Sequence, residues 1–175
     1  MSKNHEWDYR RGYSVVALEN PRNSINVGQI LRGAFCFRAN YVVVAGRKWD
    51  SDQDFQDPEM PLPADTPKAW RHVPLVYKDS IQQSLPFECT PVAIEMTDNA
   101  VSLADFVHPE RAMYVFGSEY GGIKQETVDW CEKTVYIPTR VSLNLAVTVN
   151  LVLYDRMNKR HGLNLPKGDL EKFGI

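Results

Sequence analysis

Apolar residues in this chain come in short runs, and the stretches between them carry a helical spacing. YSVVAL (13–18), YVVVAG (41–46), PVAIEM (91–96), AMYVFG (112–117) and TVYIP (134–138) are predicted as strands. HVPLVY (72–77) reads as a further short one. NVGQILRGAFCFR (26–38) places Val27, Ile30, Leu31, Ala34, Phe35 and Phe37 close to a helical repeat. Short helices are predicted at SIQQSL (80–85), at SLADF (102–106), which opens like a capped helix, and at KQETVDWCEK (124–133). The longest predicted helix runs from 142 to about 161 and ends at Gly162. Residues 47–67 hold acids and four prolines and predict a long irregular excursion.

Strands alternating with helices predict an α/β fold with a largely parallel sheet. The continuous apolar runs at 42–45 and 113–116 suit strands covered on both faces. In such sheets ligands bind at the carboxyl ends of the strands. The glycine-bearing and polar stretches after residues 18, 45, 96, 117 and 138 all fall at such ends.

Composition narrows the function. A length of 175 residues predicts one domain, and 43% hydrophobic with 24% charged residues is ordinary folded composition. Cys36, Cys89 and Cys131 form no C-x-x-C pair, and His5, His72, His108 and His161 are scattered, so neither a disulfide framework nor a metal site is expected. The first residues lack the apolar core of a signal peptide. The most apolar stretch, 141–154, is interrupted by Asn144, Thr148 and Asn150 and is too short to span a bilayer. A cytoplasmic protein with no membrane partner is expected. The net charge of −2 means that any nucleic acid would have to meet a local basic patch, which a second subunit could complete.

Three stretches could carry chemistry. FGSEYGGI (116–123) sets Gly117, Gly121 and Gly122 around a serine and Glu119 directly after an apolar run. It lacks the Gly-Lys-Ser/Thr of a P-loop, the spacing of G-x-G-x-x-G and the serine position of G-x-S-x-G. A plain strand-to-helix turn is the alternative. NPRNSINVGQILR (20–32) offers Ser24 or Asn26 as a cap, then Gly28 where alanine would favour the helix, and Arg32 six residues after Asn26. A cap followed by a solvated arginine is its simpler reading. IPTRVSLNLAVTVNLVLYDR (137–156) puts Ser142 and Asn144 at the head of an apolar helix. Ser142 alone could be an N-cap, whereas Asn144 in the first turn could both donate and accept toward a ligand. That helix is apolar nearly all round, so the sheet would cover one side and a partner subunit could cover another.

Together and in this order, the three stretches resemble the signature motifs of the SpoU/TrmH family of RNA ribose 2′-O-methyltransferases, in the SPOUT superfamily. The resemblance covers roughly 13–160. It implies a Rossmann-like sheet with helices on both faces, a C-terminal trefoil knot, a homodimer and the cofactor S-adenosylmethionine (AdoMet). By motif position it implies a catalytic set of Asn26, Arg32, Glu119, Ser142 and Asn144. It implies cofactor contacts from Gly117, Ile137, Ser142 and Leu143, and, by strand order, from Glu95 and Met96. The glycines of the second motif would let the backbone lie against the adenosyl group. Only four residues separate Ile137 from Ser142, fewer than in many members.

The implied reaction is in-line attack of a ribose 2′-oxygen on the sulfonium methyl, without a metal. The 2′-hydroxyl makes RNA the substrate. Arg32 is proposed as the base in this family, but a guanidinium with pKa above about 12 is a poor base, and gripping a phosphate is its second role. Arg10, Arg11, Arg22, Arg32 and Arg38 are the candidates for contacting RNA, and tRNA is favoured over rRNA because no appended domain is present. A non-catalytic RNA-binding relative is the main rival. A dinucleotide oxidoreductase fails because LENPRNSIN stands where G-x-G-x-x-G is needed. A methyltransferase for another acceptor differs only by the resemblance.

Overall fold

The computed structural model describes residues 12–46, 62, 64–65 and 68–161. Most of the 47–67 excursion, Arg10 and Arg11 lie outside these residues.

Strands β1 (Tyr13–Glu19), β2 (Tyr41–Ala45), β3 (Leu75–Lys78), β4 (Thr90–Ile94), β5 (Val101–Ser102), β6 (Arg111–Phe116) and β7 (Lys133–Tyr136) form one sheet in the order β3-β2-β1-β6-β4-β7-β5. Every pairing is parallel. Helices α1 (Ser24–Cys36), α2 (Gln125–Trp130) and α3 (Leu145–His161) join them, with single 3₁₀ turns at Ala69–Arg71 and Gln82–Ser84.

The two faces explain the unbroken apolar runs. Val16, Leu18, Val42, Val44, Tyr114 and Phe116 point to one face and pack under α1 and α3. Val15, Ala17, Val43, Met113 and Val115 point to the other and meet Ile81, Ile123 and Val128. Period-two alternation therefore carries apolar side chains to both sides, as a doubly covered sheet requires.

Several local expectations shift. Asn23, not Ser24 or Asn26, caps α1, accepting from Ile25 N. The predicted helix at 102–106 is absent. Ser102 Oγ accepts from Ala104 N at 3.3 Å and closes a turn, while Leu103 and Phe106 fold inward. SIQQSL makes only one 3₁₀ turn. α3 starts at Leu145, so Asn144 precedes the first turn and caps it, and Ser142 stands ahead of the helix. On α3, Leu145, Ala146, Val149, Val152 and Leu153 are buried, whereas Val147, Leu151 and Tyr154 form an exposed stripe. Among the described residues no helix is long and apolar enough to cross a membrane, and no group of three or more His, Cys, Asp or Glu is placed to hold a metal ion.

A buried polar network fastens the second half of α3 to the amino ends of the strands. Neutral His108 satisfies it throughout. Nε2 lies 2.8 Å from Asp155 Oδ2 and Nδ1 lies 2.6 Å from Tyr114 Oη. Arg156 donates to that same hydroxyl oxygen at 3.0 Å and to the carbonyls of Pro109, Glu110 and Tyr13. Burial holds the His108 pKa below its ordinary value, although Asp155 pulls it upward. The unfolded chain therefore takes up a proton that the folded chain resists. The contribution is complete above the ordinary histidine pKa of about 6.5 and is lost as pH falls toward the folded value. We expect a lower urea midpoint at about pH 5.5 than at about pH 7.5. His108→Gln should narrow that difference, and an unchanged difference would refute the assignment.

Candidate active site

β1 and β6 are neighbours whose connections leave toward opposite sides of the sheet, since β1 leads to β2 and β6 leads to β7. A crevice at the carboxyl ends of such a pair is the expected ligand position. The chain brings all three motif turns there.

Asn26 joins them. It is buried in the first turn of α1. Its Nδ2 donates to Glu119 Oε1 at 2.7 Å, and its Oδ1 accepts from Asn144 Nδ2 at 3.0 Å. Glu119 Oε2 accepts from Arg22 N at 3.0 Å, and Asn144 Oδ1 accepts from the N–H groups of Ala146 and Val147. An amide suits this position because it donates and accepts at once. A hydrogen bond to a carboxylate is worth about 1.5–3 kcal/mol away from solvent, which applies to the part-buried Asn26 bond more than to the exposed Arg22 one.

The glycines of the second motif meet their own chain. A Cβ at Gly117 would lie 1.9 Å from Gly122 C, and Ser118 and Gly122 exchange backbone hydrogen bonds of 3.1 Å. Gly122 has φ +62°, and a Cβ there would lie 2.5 Å from Glu95 Oε2. Glu95 in turn accepts from Ile123 N at 2.9 Å and Met96 N at 3.1 Å. On the other side Glu19, buried at the end of β1, accepts from Lys124 N at 2.8 Å and Thr127 Oγ1 at 2.6 Å. Two carboxylates thus clamp the turn, and the close approach requiring Gly117 is internal.

Beside the clamped turn an open cleft of about 130 Å³ runs between the ends of β4 and β7 and the segment entering α3. Glu95, Met96, Ile137, Ser142 and Leu143 line it together with Ile94 and Tyr136. Gly117 is not in its lining. Its apolar walls and the Ser142 hydroxyl could meet the flat base and polar sugar of a nucleoside-bearing cofactor, while the Thr148 hydroxyl is turned to Asn144 O at 2.9 Å.

Arg32 stands elsewhere. It is exposed on α1 and lines a separate cleft of about 480 Å³ with Gln29, Gly33, Cys36, Phe37 and Asn150.

The model of the SpoU rRNA methylase family matches residues 13–154. The chain belongs to that family. No curated protein sequence matches it. Among solved structures it resembles the SpoU methyltransferase AviRb from Streptomyces viridochromogenes, with TM-score 0.71, 22% identity, and 86% of this chain covering 61% of that one. An AdoMet-bound rRNA methyltransferase from Sinorhizobium meliloti gives TM-score 0.71 and 22% identity, with 85% of this chain and 57% of that one covered. The chain therefore spans about six-tenths of the length of these two relatives. A structure concerned with the 2-OH methylation of C/U34 on tRNA gives TM-score 0.70 and 24% identity, with 85% and 96% covered.

In this SpoU chain the motif residues divide into groups. Asn26, Glu119 and Asn144 are bonded to one another, Ser142 lies in the neighbouring cleft, and Arg32 lies apart. Arg22 sits at the motif turns through its bond to Glu119. Arg38 follows the far end of α1, one helix of 13 residues or about 20 Å away, and so lies toward the amino ends of the strands. Sequence reasoning missed Glu19 and the cap Asn23. A carboxylate closing an all-apolar strand was the available signal for Glu19.

Proposed function

We propose that this protein transfers a methyl group from AdoMet to a ribose 2′-hydroxyl of RNA, with tRNA favoured over rRNA. It works as a cytoplasmic homodimer, built from a single methyltransferase domain with the family's C-terminal knot. The observation that carries the reading is the Asn26 joint. Three motif turns far apart in sequence converge on one amide beside an apolar cleft, and the chain belongs to a methylase family. The likeness to a structure concerned with 2-OH methylation on tRNA, over 85% of this chain and 96% of that one, supports the choice of RNA.

The residues divide the work. Ile137, Leu143 and Met96 offer apolar walls for AdoMet, with Ser142 and the neighbouring backbone as polar contacts, while Glu95 and Gly117 hold the turn beside it. AdoMet supplies the electrophilic methyl. Asn26, Glu119 and Asn144 fix the edge against which the ribose is aligned, and alignment is the main demand of an in-line displacement. Arg32 grips a phosphate of the RNA and sets the hydroxyl in line.

An exposed apolar stripe supports the homodimer part of this reading. Val147, Leu151 and Tyr154 are exposed along α3, next to the cleft that holds Arg32 and Asn150. An apolar stripe of this kind is covered in a C2 dimer, and covering it would bring Arg32 against the partner's surface.

The test is transfer of labelled methyl from AdoMet to unmodified tRNA and, separately, to rRNA. Label recovered from tRNA as a 2′-O-methylnucleotide is the expected result. Label in rRNA alone would move the substrate. AdoMet binding without transfer to either RNA would overturn RNA as the acceptor.

A further inference from the structure

Tyr120 is the residue of the second motif turn that the site geometry leaves unexplained. It is 84% exposed, although its neighbours on both sides are pinned. Glu119 is held by Asn26 and Arg22, Gly121 N donates to Ser118 Oγ at 3.1 Å, and Gly122 is bridged to Ser118. An aromatic ring thus stands in solvent on a backbone with little freedom. The Arg22 guanidinium lies over the ring, 5.3 Å from its centroid. That contact uses one face, and the exposure of the side chain leaves the rest of the ring open. Stability does not call for this arrangement, since a solvated ring buries little area and an exposed cation–π contact is worth only about 0.5–1 kcal/mol.

We propose that Tyr120 and Arg22 form a base-stacking platform for the RNA substrate. An unpaired base adjoining the methylated nucleotide stacks on the free face of Tyr120, and Arg22 on the opposite face meets the backbone phosphate. The inference rests on the RNA-methyltransferase reading and names how that site recruits single-stranded RNA. Three observations carry it. The ring is presented on a rigid turn, so little ordering cost is left for binding. The turn is bonded directly to the Asn26 joint, so a base held there is next to the reacting ribose. A ring with a guanidinium on it is the combination that binds single strands without reading sequence, because every base has a flat face and every nucleotide a phosphate. It also answers how a chain of net charge −2 recruits RNA, with stacking supplying what a broad basic surface would otherwise provide.

The experiment is fluorescence anisotropy with a labelled, unmodified tRNA transcript, run beside methyl-transfer kinetics and calorimetry of AdoMet. Tyr120→Ala is expected to weaken RNA binding about 5- to 150-fold, the range for one stacked base. AdoMet affinity should change less than about twofold, since the ring is absent from the cofactor cleft lining. Tyr120→Phe and Tyr120→Trp should bind as wild type, because each keeps the face. Arg22→Ala should weaken binding and flatten its salt dependence. Unchanged binding by Tyr120→Ala would overturn the platform while leaving the enzyme reading intact. A loss that follows a fall in molecular mass by light scattering would overturn it too, as a dimer contact. Wild type that binds RNA and loses it with Tyr120→Ala, yet transfers no methyl, would support the platform and count against the enzyme reading. Wild type that binds no RNA would refute both.

Discussion

Arg32→Ala is expected to cut methyl transfer about 100- to 1000-fold while leaving fold and AdoMet affinity nearly unchanged. The side chain is exposed, and alanine serves a helix at least as well as arginine. A thermal midpoint within about 2 °C of wild type is therefore expected. Its cleft is not the one proposed for AdoMet. What the substitution removes, on the proposed role, is a planar fork of donors suited to a substrate phosphate. Arg32→Lys separates charge from shape. A lysine keeps the charge but cannot make the paired bonds that a guanidinium makes to a phosphate, so it should recover only a small part of the rate. Single-turnover transfer at saturating AdoMet measures this. Retention of more than about a tenth of the wild-type rate by Arg32→Ala would show that the alignment argument for this residue is wrong.

Asn26→Asp should be more damaging than its size suggests. The new side chain has nearly the same shape, but the donor at 2.7 Å from Glu119 Oε1 becomes an acceptor carrying the same charge. Asn144 keeps its bond, and Glu119 loses one. Two carboxylates at that distance cannot both stay ionised without strong repulsion, so we expect a loss of about 3–5 kcal/mol, comparable to breaking a buried charge contact. The defect has a signature. Acidification lets the pair share a proton and restores a hydrogen bond between them. The variant should therefore regain stability, relative to wild type, between about pH 7.5 and about pH 5. Asn26→Ala loses both bonds without adding charge and should show no such recovery. Urea midpoints of the three proteins at two pH values decide the matter. Parallel behaviour of the aspartate and alanine variants would remove the electrostatic explanation.

The strands were legible because their physics is local. A parallel strand between two helical layers must be apolar at every position, and Val42–Val43–Val44 and Met113–Tyr114–Val115 are. Helix starts were less legible because serine and asparagine compete for the cap. Ser142 and Asn144 are both good candidates by type, and Asn144 is also held by a bond to Asn26, 118 residues away. SLADF carried a helix signal, but Ser102 bonds only two residues on, and burial of Leu103 and Phe106 completes a turn. In the site, the motifs named Asn26, Glu119 and Asn144 but not the bonds that make them one unit. Glycine spacing marked a close approach at Gly117. It could not say that the approaching group is Gly122 of the same turn. The separation of Arg32 was also hidden, because six residues along a helix is a rotation of about 240° as well as a rise of about 9 Å.

The Asn26 joint has a consequence for the order of synthesis. Its partners lie 93 and 118 residues downstream. β1 must also wait for β6 before its second edge is paired. A nascent chain that has released α1 and β2 holds two strands and a helix but no site. The site closes only when Asn144 leaves the ribosome, which makes a chain stopped before that point unable to hold the three turns together. Contacts of such long sequence separation also fold slowly. The proposed site is therefore completed late, after most of the sheet already exists.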